Sequence, residues 1–138
     1  LAKKMNSIDS EFRLQQTALN LRSYRQGLLA SNIANADTPH YAARDIDFKS
    51  ALTNALGGRA GGTLAMARTA GNHLDGAGAS PFAAETRFRS EFQSSADGNT
   101  VNMDVERASF AKNANQIEAL LTFMRQDIKE MQLAITGQ

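Results

Sequence analysis

Apolar residues recur with helical spacing near both ends of the chain, and the C-terminal stretch is the more regular. Its apolar positions advance by alternating steps of three and four residues after the first, and Arg107 alone interrupts the series. A pattern of this kind, kept up over about four heptads, predicts a helix that packs in a coiled coil. The predicted seam is Met103, Phe110, Ala114, Ile117, Leu121, Met124, Ile128, Met131 and Ile135.

Turn and capping residues mark the ends of this second helix. Residues 97–99 read Asp-Gly-Asn, a turn signal, and Asn102 is a suitable N-cap just before the seam. Asp104 and Glu106 suit the positive end of the helix dipole, and Gly137 is a plausible stop. A helix between these limits is roughly 50 Å long at about 1.5 Å per residue, which is long for a compact domain of this size.

The N-terminal stretch predicts a different helix, with two apolar stripes separated by polar residues. One stripe can pack on the C-terminal seam, and the other is then expected to be exposed as an interaction face, since the middle of the chain offers few apolar residues. The alternative is one wide buried face, with the intervening polar side chains reaching to solvent. The stripes are Leu14, Ala18, Leu21 and Leu28, and Ile8, Phe12, Leu19 and Ile33.

Between the two helices the pattern changes twice. Pro39 excludes Thr38 from the α region, so the first helix must end at or before Asp37. Alternating polar and apolar residues over 44–48 then predict an extended, strand-like arm. Seven of the ten glycines lie between Gly57 and Gly78, which predicts a flexible, partly disordered middle segment.

Composition and charge exclude several classes of function but do not identify one. The 138 residues carry a net charge of +1 with both signs dispersed, which indicates neither nucleic acid nor an anionic membrane as partner. There is no cysteine, no apolar run of transmembrane length and no apolar core of a secretory signal peptide near the first residues. We therefore expect no transmembrane segment and no thiolate metal site.

Candidate chemistry is weak throughout. The glycine-rich run 57–63 lacks the Lys-Ser/Thr ending of a phosphate loop, and His40 and His73 have no third ligand at metal spacing. Asp45 and Asp47 are two residues apart beside Arg44, which favours a solvent-exposed face or ion pairing over acid–base catalysis. We expect no catalytic, cofactor or metal site, and no enzyme.

Residues 31–48 read S-N-I-A-N-A-D-T-P-H-Y-A-A-R-D-I-D-F. This segment resembles the signature of the flagellar basal-body rod proteins, most closely of the proximal-rod type, and departs from it in having His40 where that family has glycine. If the family glycine has a positive φ, His40 must adopt it or the turn must differ. The turn and arm residues carrying the resemblance are Asn32, Asn35, Asp37, Thr38, Pro39, Tyr41, Arg44, Asp45, Ile46, Asp47 and Phe48.

The resemblance implies a mainly α fold in which the long terminal helices pair as an antiparallel coiled coil. The expected parts are an N-terminal helix over 1–37, a turn and extended arm over 38–56 reaching a neighbouring subunit, a variable insert over 57–100, and a C-terminal heptad helix over 101–138. Met103 to Ile135 and the second N-terminal stripe are the expected packing surfaces. Members of that family commonly have an asparagine followed four residues later by an aromatic residue. Here these positions are Asn113 and Ile117, so the second position stays apolar but has no aromatic ring.

The resemblance also implies a function: a structural subunit of the periplasmic rod, packed with copies of itself and other rod proteins into a shaft that transmits torque. Implied partners are the adaptor to the membrane-embedded ring and the flagellar type III export gate, which passes such subunits without a cleaved signal peptide. The alternative is a soluble helical adaptor or export chaperone of a secretion system.

Overall fold

The computed structural model describes residues 2–57, 86–89 and 96–137, with the side chains of residues 2–7 left aside. The chain is mainly helical, as the pattern predicts. Three helices and a two-stranded antiparallel sheet follow one another in this order: α1 Ala2–Ala34, β1 Arg44–Ile46, α2 Phe48–Leu56, β2 Thr86–Phe88 and α3 Met103–Thr136.

Helices α1 and α3 pack against each other in opposite directions. Side-chain hydrogen bonds join the start of one helix to the end of the other: Gln15 donates to Asp127, and Asn32 donates to Glu106. Each helix is long because its interior contains no proline and, in α3, no glycine.

The predicted limits of α3 are confirmed by its caps. The Asn102 side chain accepts hydrogen bonds from the backbone N–H groups of Asp104 and Val105. Gly137 adopts φ 72° and its N–H donates to Leu133 O, which closes the last turn. Helix α1 ends at Ala34, inside the limit that Pro39 imposes.

The segment 38–56 is only partly the extended arm that the alternation predicts. Residues 44–46 form a strand, but 48–56 form α2, which begins with Asp47 as N-cap: its carboxylate accepts from the Ser50 N–H and hydroxyl. Asp47 followed three residues later by Ser50, before an apolar helical face, is the sequence signal for this N-cap. The prediction of an extended arm over 38–56 did not use it.

The first N-terminal stripe is divided: Leu21 and Leu28 pack within the chain, whereas Leu14 is exposed. The two stripes therefore do not separate into one packed face and one exposed face, as expected from the sequence. Leu21 is fully buried with Ile46 of β1 and Ala51 of α2, and Leu28 packs on the same cluster. The arm folds back on α1 because Ile46 is apolar and is buried against Leu21. Polar residues between the stripes turn towards α3: Gln15, Arg22 and Gln26 all bond to it.

The centre of the α3 packing face also differs from the predicted seam. Glu106 and Asn113 are the two buried residues of α3, 1% and 0% exposed. The predicted apolar positions flank them, half-buried, at Met103, Phe110, Ala114, Ile117, Leu121, Met124 and Met131, while Ile128 and Ile135 are exposed. A prediction from apolar spacing does not identify polar residues at the centre of a contact. The predicted seam therefore lies beside the line of buried residues that Glu106 and Asn113 mark.

Residues 58–85 and 90–95 lie outside the described residues, and with them the glycine-rich run after Gly57. Phe88 lies in β2, and its side chain is 72% exposed.

Candidate functional site: the joint between the long helices

The family segment forms a joint at the C-terminal end of α1, and Asn32 is its central residue. The Asn32 side chain is fully buried. Its Nδ2 donates to Arg44 O at 2.8 Å and to Glu106 Oε2 at 3.1 Å, and its Oδ1 accepts from Arg44 N at 3.0 Å and from the Tyr41 hydroxyl at 3.2 Å. The amide therefore pairs with Arg44 as a neighbouring strand would, and it covers the β1 edge that β2 leaves open.

Asn99, from the loop before α3, closes the end of α1. Its Nδ2 lies within hydrogen-bonding distance of three carbonyl oxygens, those of Asn35 (3.0 Å), Ala36 (2.8 Å) and Thr38 (2.8 Å). The side chain is 5% exposed, and its Oδ1 accepts from Val101 N. Helix C-termini leave carbonyl groups without partners. Here a residue more than sixty positions away in the sequence satisfies the carbonyl groups that follow the helix.

His40 adopts φ 59°, the positive value that glycine would take without strain. Its N–H donates to Asp97 O, and its ring lies over Gly98, where an added Cβ would be 2.8 Å from His40 Nδ1. Gly98 itself has φ 73°. His40 thus adopts the positive φ that glycine takes without strain, and the absence of a side chain at Gly98 leaves room for the His40 ring.

Four charged side chains close the joint on its other side. Asp45 accepts from Arg25 in a two-bond pair, 2.8 Å for each bond, and from Arg89 at 2.6 Å. Arg89 also donates to Glu106 at 2.5 Å. Two positive and two negative charges therefore balance across α1, β1, the end of β2 and α3.

This network determines the ionisation of Asp45. Burial alone would raise its pKa, but the hydrogen bonds from Arg25 and Arg89 outweigh burial and place the pKa of Asp45 below its ordinary value. The same pairing raises the pKa of Arg25, chiefly through its hydrogen bond with Asp45. The sequence reading assigned Asp45 to ion pairing beside Arg44, whereas the actual partners come from α1 and from the residue after β2.

Beyond the joint, polar contacts cross between α1 and α3 at intervals. Arg22 Nη1 donates to Gln116 Oε1 at 2.6 Å, and its guanidinium lies 3.9 Å from the centre of the Phe48 ring. Burial, together with the charge of Arg25, lowers the pKa of Arg22. Gln15 donates to Asp127 at 2.5 Å nearer the other end of the pair.

Large apolar side chains remain exposed along the helix pair. On α1 these are Ile8 (40%) and Leu14 (42%), and on α3 the most exposed are Phe123 (60%) and Ile135 (85%). They lie largely towards the end of the pair away from the joint, where neither the arm nor α2 covers α1. Such a surface on paired helices is typical of a protein that associates with others.

The structure brings together most of the residues of the predicted turn and arm. Asn32 and Ile46 are buried, Tyr41, Asp45, Asn35 and Phe48 are half-buried, and Asp37, Thr38, Pro39, Arg44 and Asp47 are exposed. Sequence reasoning missed Asn99, Glu106 and Arg89 as members of the joint. The turn signal at 97–99 marked the position of Asn99 but not its contacts.

Within the described residues no cluster of histidine and carboxylate side chains could hold a metal ion. None of the described helices combines the length and the apolar character needed to cross a membrane.

Comparison with known proteins identifies relatives of this chain. Residues 12–41, from α1 into the turn, match the family "Flagella basal body rod protein". The chain is 45% identical over 129 residues to the flagellar basal body rod protein FlgB of Escherichia coli (strain K12), covering 92% of this chain and 94% of that protein.

Two further relatives carry the same name. FlgB of Salmonella typhimurium is 42% identical over 135 residues, which is 96% of this chain and 98% of that protein. FlgB of Buchnera aphidicola is 39% identical over 132 residues, again 96% and 98%. Similarity at this level over nearly the whole of both chains establishes the family: the chain belongs to the FlgB family of flagellar basal body rod proteins.

Proposed function

We propose that the chain is a structural subunit of the flagellar proximal rod, with no enzymatic role, that assembles through the outward faces of α1 and α3. The single observation that carries this is its similarity to FlgB proteins over more than nine-tenths of its length. The paired helices are a cohesive element, and their exposed apolar residues supply contacts to neighbours.

The structure supports a rigid subunit. The joint connects α1, the arm and α3 through buried amide and ionic contacts, so a load on one helix is shared by the other. We take the α1–α3 pair to be an antiparallel coiled coil and the rod to transmit torque through many such pairs packed side by side.

Location and partners follow from the same proposal. The subunit lies in the periplasmic part of the basal body and contacts copies of itself, other rod proteins and the adaptor to the membrane-embedded ring. It reaches that place through the flagellar type III export gate, without a cleaved signal peptide. The turn and the exposed residues of 37–48 are the part of the joint available to a neighbour.

Deleting the gene in the source bacterium and restoring it on a plasmid tests the function. The deletion strain should lack filaments and not swim, restoration should recover swimming, and the chain should be present in purified basal bodies. A chaperone or adaptor would be absent from those basal bodies, and a motile deletion strain would exclude the rod function.

Two point variants test the assembly surface. Phe123→Ser removes the most exposed aromatic of α3, and Glu118→Gln changes an exposed polar residue of the same helix as control. Neither should alter folding by more than about 0.5 kcal/mol, since both side chains face solvent. Phe123→Ser should reduce incorporation into basal bodies, whereas Glu118→Gln should not. Equal incorporation of the two would show that this face of α3 is not an assembly surface.

A further inference from the structure

Apolar contacts alone do not determine how α1 and α3 align along their lengths. Phe12, Leu19 and Ile33 on α1 fall on one column of residues seven apart. On α3 the apolar residues at 103, 110, 117, 124 and 131 are also seven apart. Sliding one helix past the other by seven residues therefore sets apolar residues against apolar residues again, and several alignments have similar apolar contacts.

Gln26 is the one polar member of the α1 column from 12 to 33, and it meets a polar residue of α3. Asn113 Nδ2 donates to Gln26 Oε1 at 2.7 Å and to Arg22 O at 2.9 Å. Asn113 Oδ1 lies 3.3 Å from Arg22 Nη1, which donates to it. Asn113 is fully buried, and every polar atom of its amide has a partner.

A shift of seven residues in either direction destroys this match. Gln26 would be replaced opposite Asn113 by Leu19 or by Ile33, neither of which can accept a hydrogen bond. An unsatisfied amide in a buried contact is penalised, whereas the apolar column loses little.

We propose that Asn113 and Gln26 are a specificity-determining pair that fixes the alignment of the middle of α1 against α3, in addition to the contacts that the joint makes at one end. The pair acts against alignments shifted by one heptad, within one chain and between copies. Its own contribution favours the native alignment over a shifted one by roughly tenfold to a hundredfold in population, the effect expected of one orphaned buried amide. The proposal concerns the subunit itself and does not depend on its place in the rod.

The chain contains no cysteine, so two introduced cysteines can carry spin labels whose separation reports the alignment. Ser23→Cys on α1 and Glu118→Cys on α3 are both at exposed positions. A seven-residue shift slides these labels past each other by about 10 Å. In the labelled parent protein, double electron–electron resonance should give one narrow distance. A broad or multiple distribution in that protein would overturn the proposal.

The variants are made in a labelled Glu106→Ala protein, which has already lost the contacts of Asn32 and Arg89 with α3 and serves as their parent. The decisive variant carries Gln26→Leu and Asn113→Leu together. It removes both members of the pair at once, and Arg22 keeps its bond to Gln116. This variant should melt no lower than the parent, yet it should show a second distance population and an increased tendency to form dimers in sedimentation. A single unchanged distance with unchanged mass would refute the proposal.

Two further variants separate the amide from hydrophobicity and from folding. Lys112→Leu adds a leucine at an exposed neighbouring position and should leave the distance single. Asn113→Ala removes the amide without adding bulk, and it should also produce the second distance, even though it is less stable. Broadening by Lys112→Leu, or none with Asn113→Ala, would contradict an alignment function for Asn113.

Discussion

Replacing Asn99 by alanine or by aspartate tests the view that one side-chain amide closes the end of α1. The Nδ2 group is 2.8–3.0 Å from three backbone carbonyl oxygens, and the side chain is 5% exposed. Alanine removes the donor. Aspartate keeps the size and shape of the side chain but places an oxygen where the donor was.

The two replacements should differ in magnitude. Alanine loses the two hydrogen bonds that one amide group can donate to the carbonyls and the bond from Val101 N, each worth about 1 kcal/mol net, so unfolding should become easier by about 3 kcal/mol. Aspartate loses the same donor bonds and also holds a buried negative charge against three carbonyl oxygens. We expect a cost of about 4 kcal/mol or more at neutral pH.

The aspartate variant also has a pH signature. The carbonyl oxygens disfavour the ionised form, so the pKa of the introduced carboxyl is raised in the folded protein. The part of the destabilisation that comes from the buried charge is therefore absent below the unfolded pKa of about 4 and grows as pH rises towards the folded pKa. A protonated carboxyl can donate one hydrogen bond, which brings Asn99→Asp close to Asn99→Ala in acid.

Urea unfolding followed by circular dichroism at pH 4 and pH 7 measures both effects, with the wild type at each pH as reference. That reference cancels the titration of the other carboxylates. If Asn99→Asp and Asn99→Ala cost the same at both pH values, the Asn99 amide does not face the carbonyls and the closure of α1 is wrong as described. A cost below about 0.5 kcal/mol for both would mean the same.

Three other changes probe the joint. Asp45→Asn should destabilise the protein at neutral pH and should make its stability fall less steeply in acid. The folded pKa of Asp45 is depressed, so its contribution to stability is present above the unfolded pKa of about 4 and disappears as pH falls through the folded pKa. Thermal melts of the variant and the wild type at pH 3 to 7 measure this difference. Glu106→Gln should lower the free energy of unfolding in urea by about 2 kcal/mol, because one of its two acceptor oxygens becomes a donor facing either Arg89 or Asn32. Glu106→Ala should lower it further, and equal stability of the wild type and both variants would contradict the contacts of Glu106. His40→Gly should match or exceed the wild-type melting temperature, whereas His40→Val should lower it by several degrees, since β-branched residues rarely adopt positive φ; the reverse order would show that the turn does not require φ 59°.

The helices could be predicted from the sequence because their signals are local. The three- and four-residue spacing of apolar residues, the N-cap at Asn102 and the break at Pro39 all act within a few positions of themselves. Helix α2 was missed even though its signal is equally local. The alternating residues over 44–48 are compatible both with a longer strand and with a helix capped by Asp47, and the structure has the capped helix.

The joint could not be predicted in the same way, because its contacts join distant parts of the chain. Asn99 meets carbonyls more than sixty residues earlier, and Glu106 meets Asn32 and Arg89. Polar residues at such positions read as solvent-facing in any window of the sequence. Only the tertiary arrangement, and the need to satisfy buried polar groups, gives them their partners.

The pairing of β1 with β2 has a consequence for how this chain can change over time. Arg44 faces Phe88 and Ile46 faces Thr86, so the residues on either side of the intervening stretch are held together by the joint itself. For a chain whose ends are already fixed, doubling the length between them costs only about 0.6 kcal/mol in closure entropy. For the joint, a change in the length of chain between Gly57 and Thr86 therefore costs little closure entropy, whereas a single substitution at Asn99 or Glu106 removes its contacts.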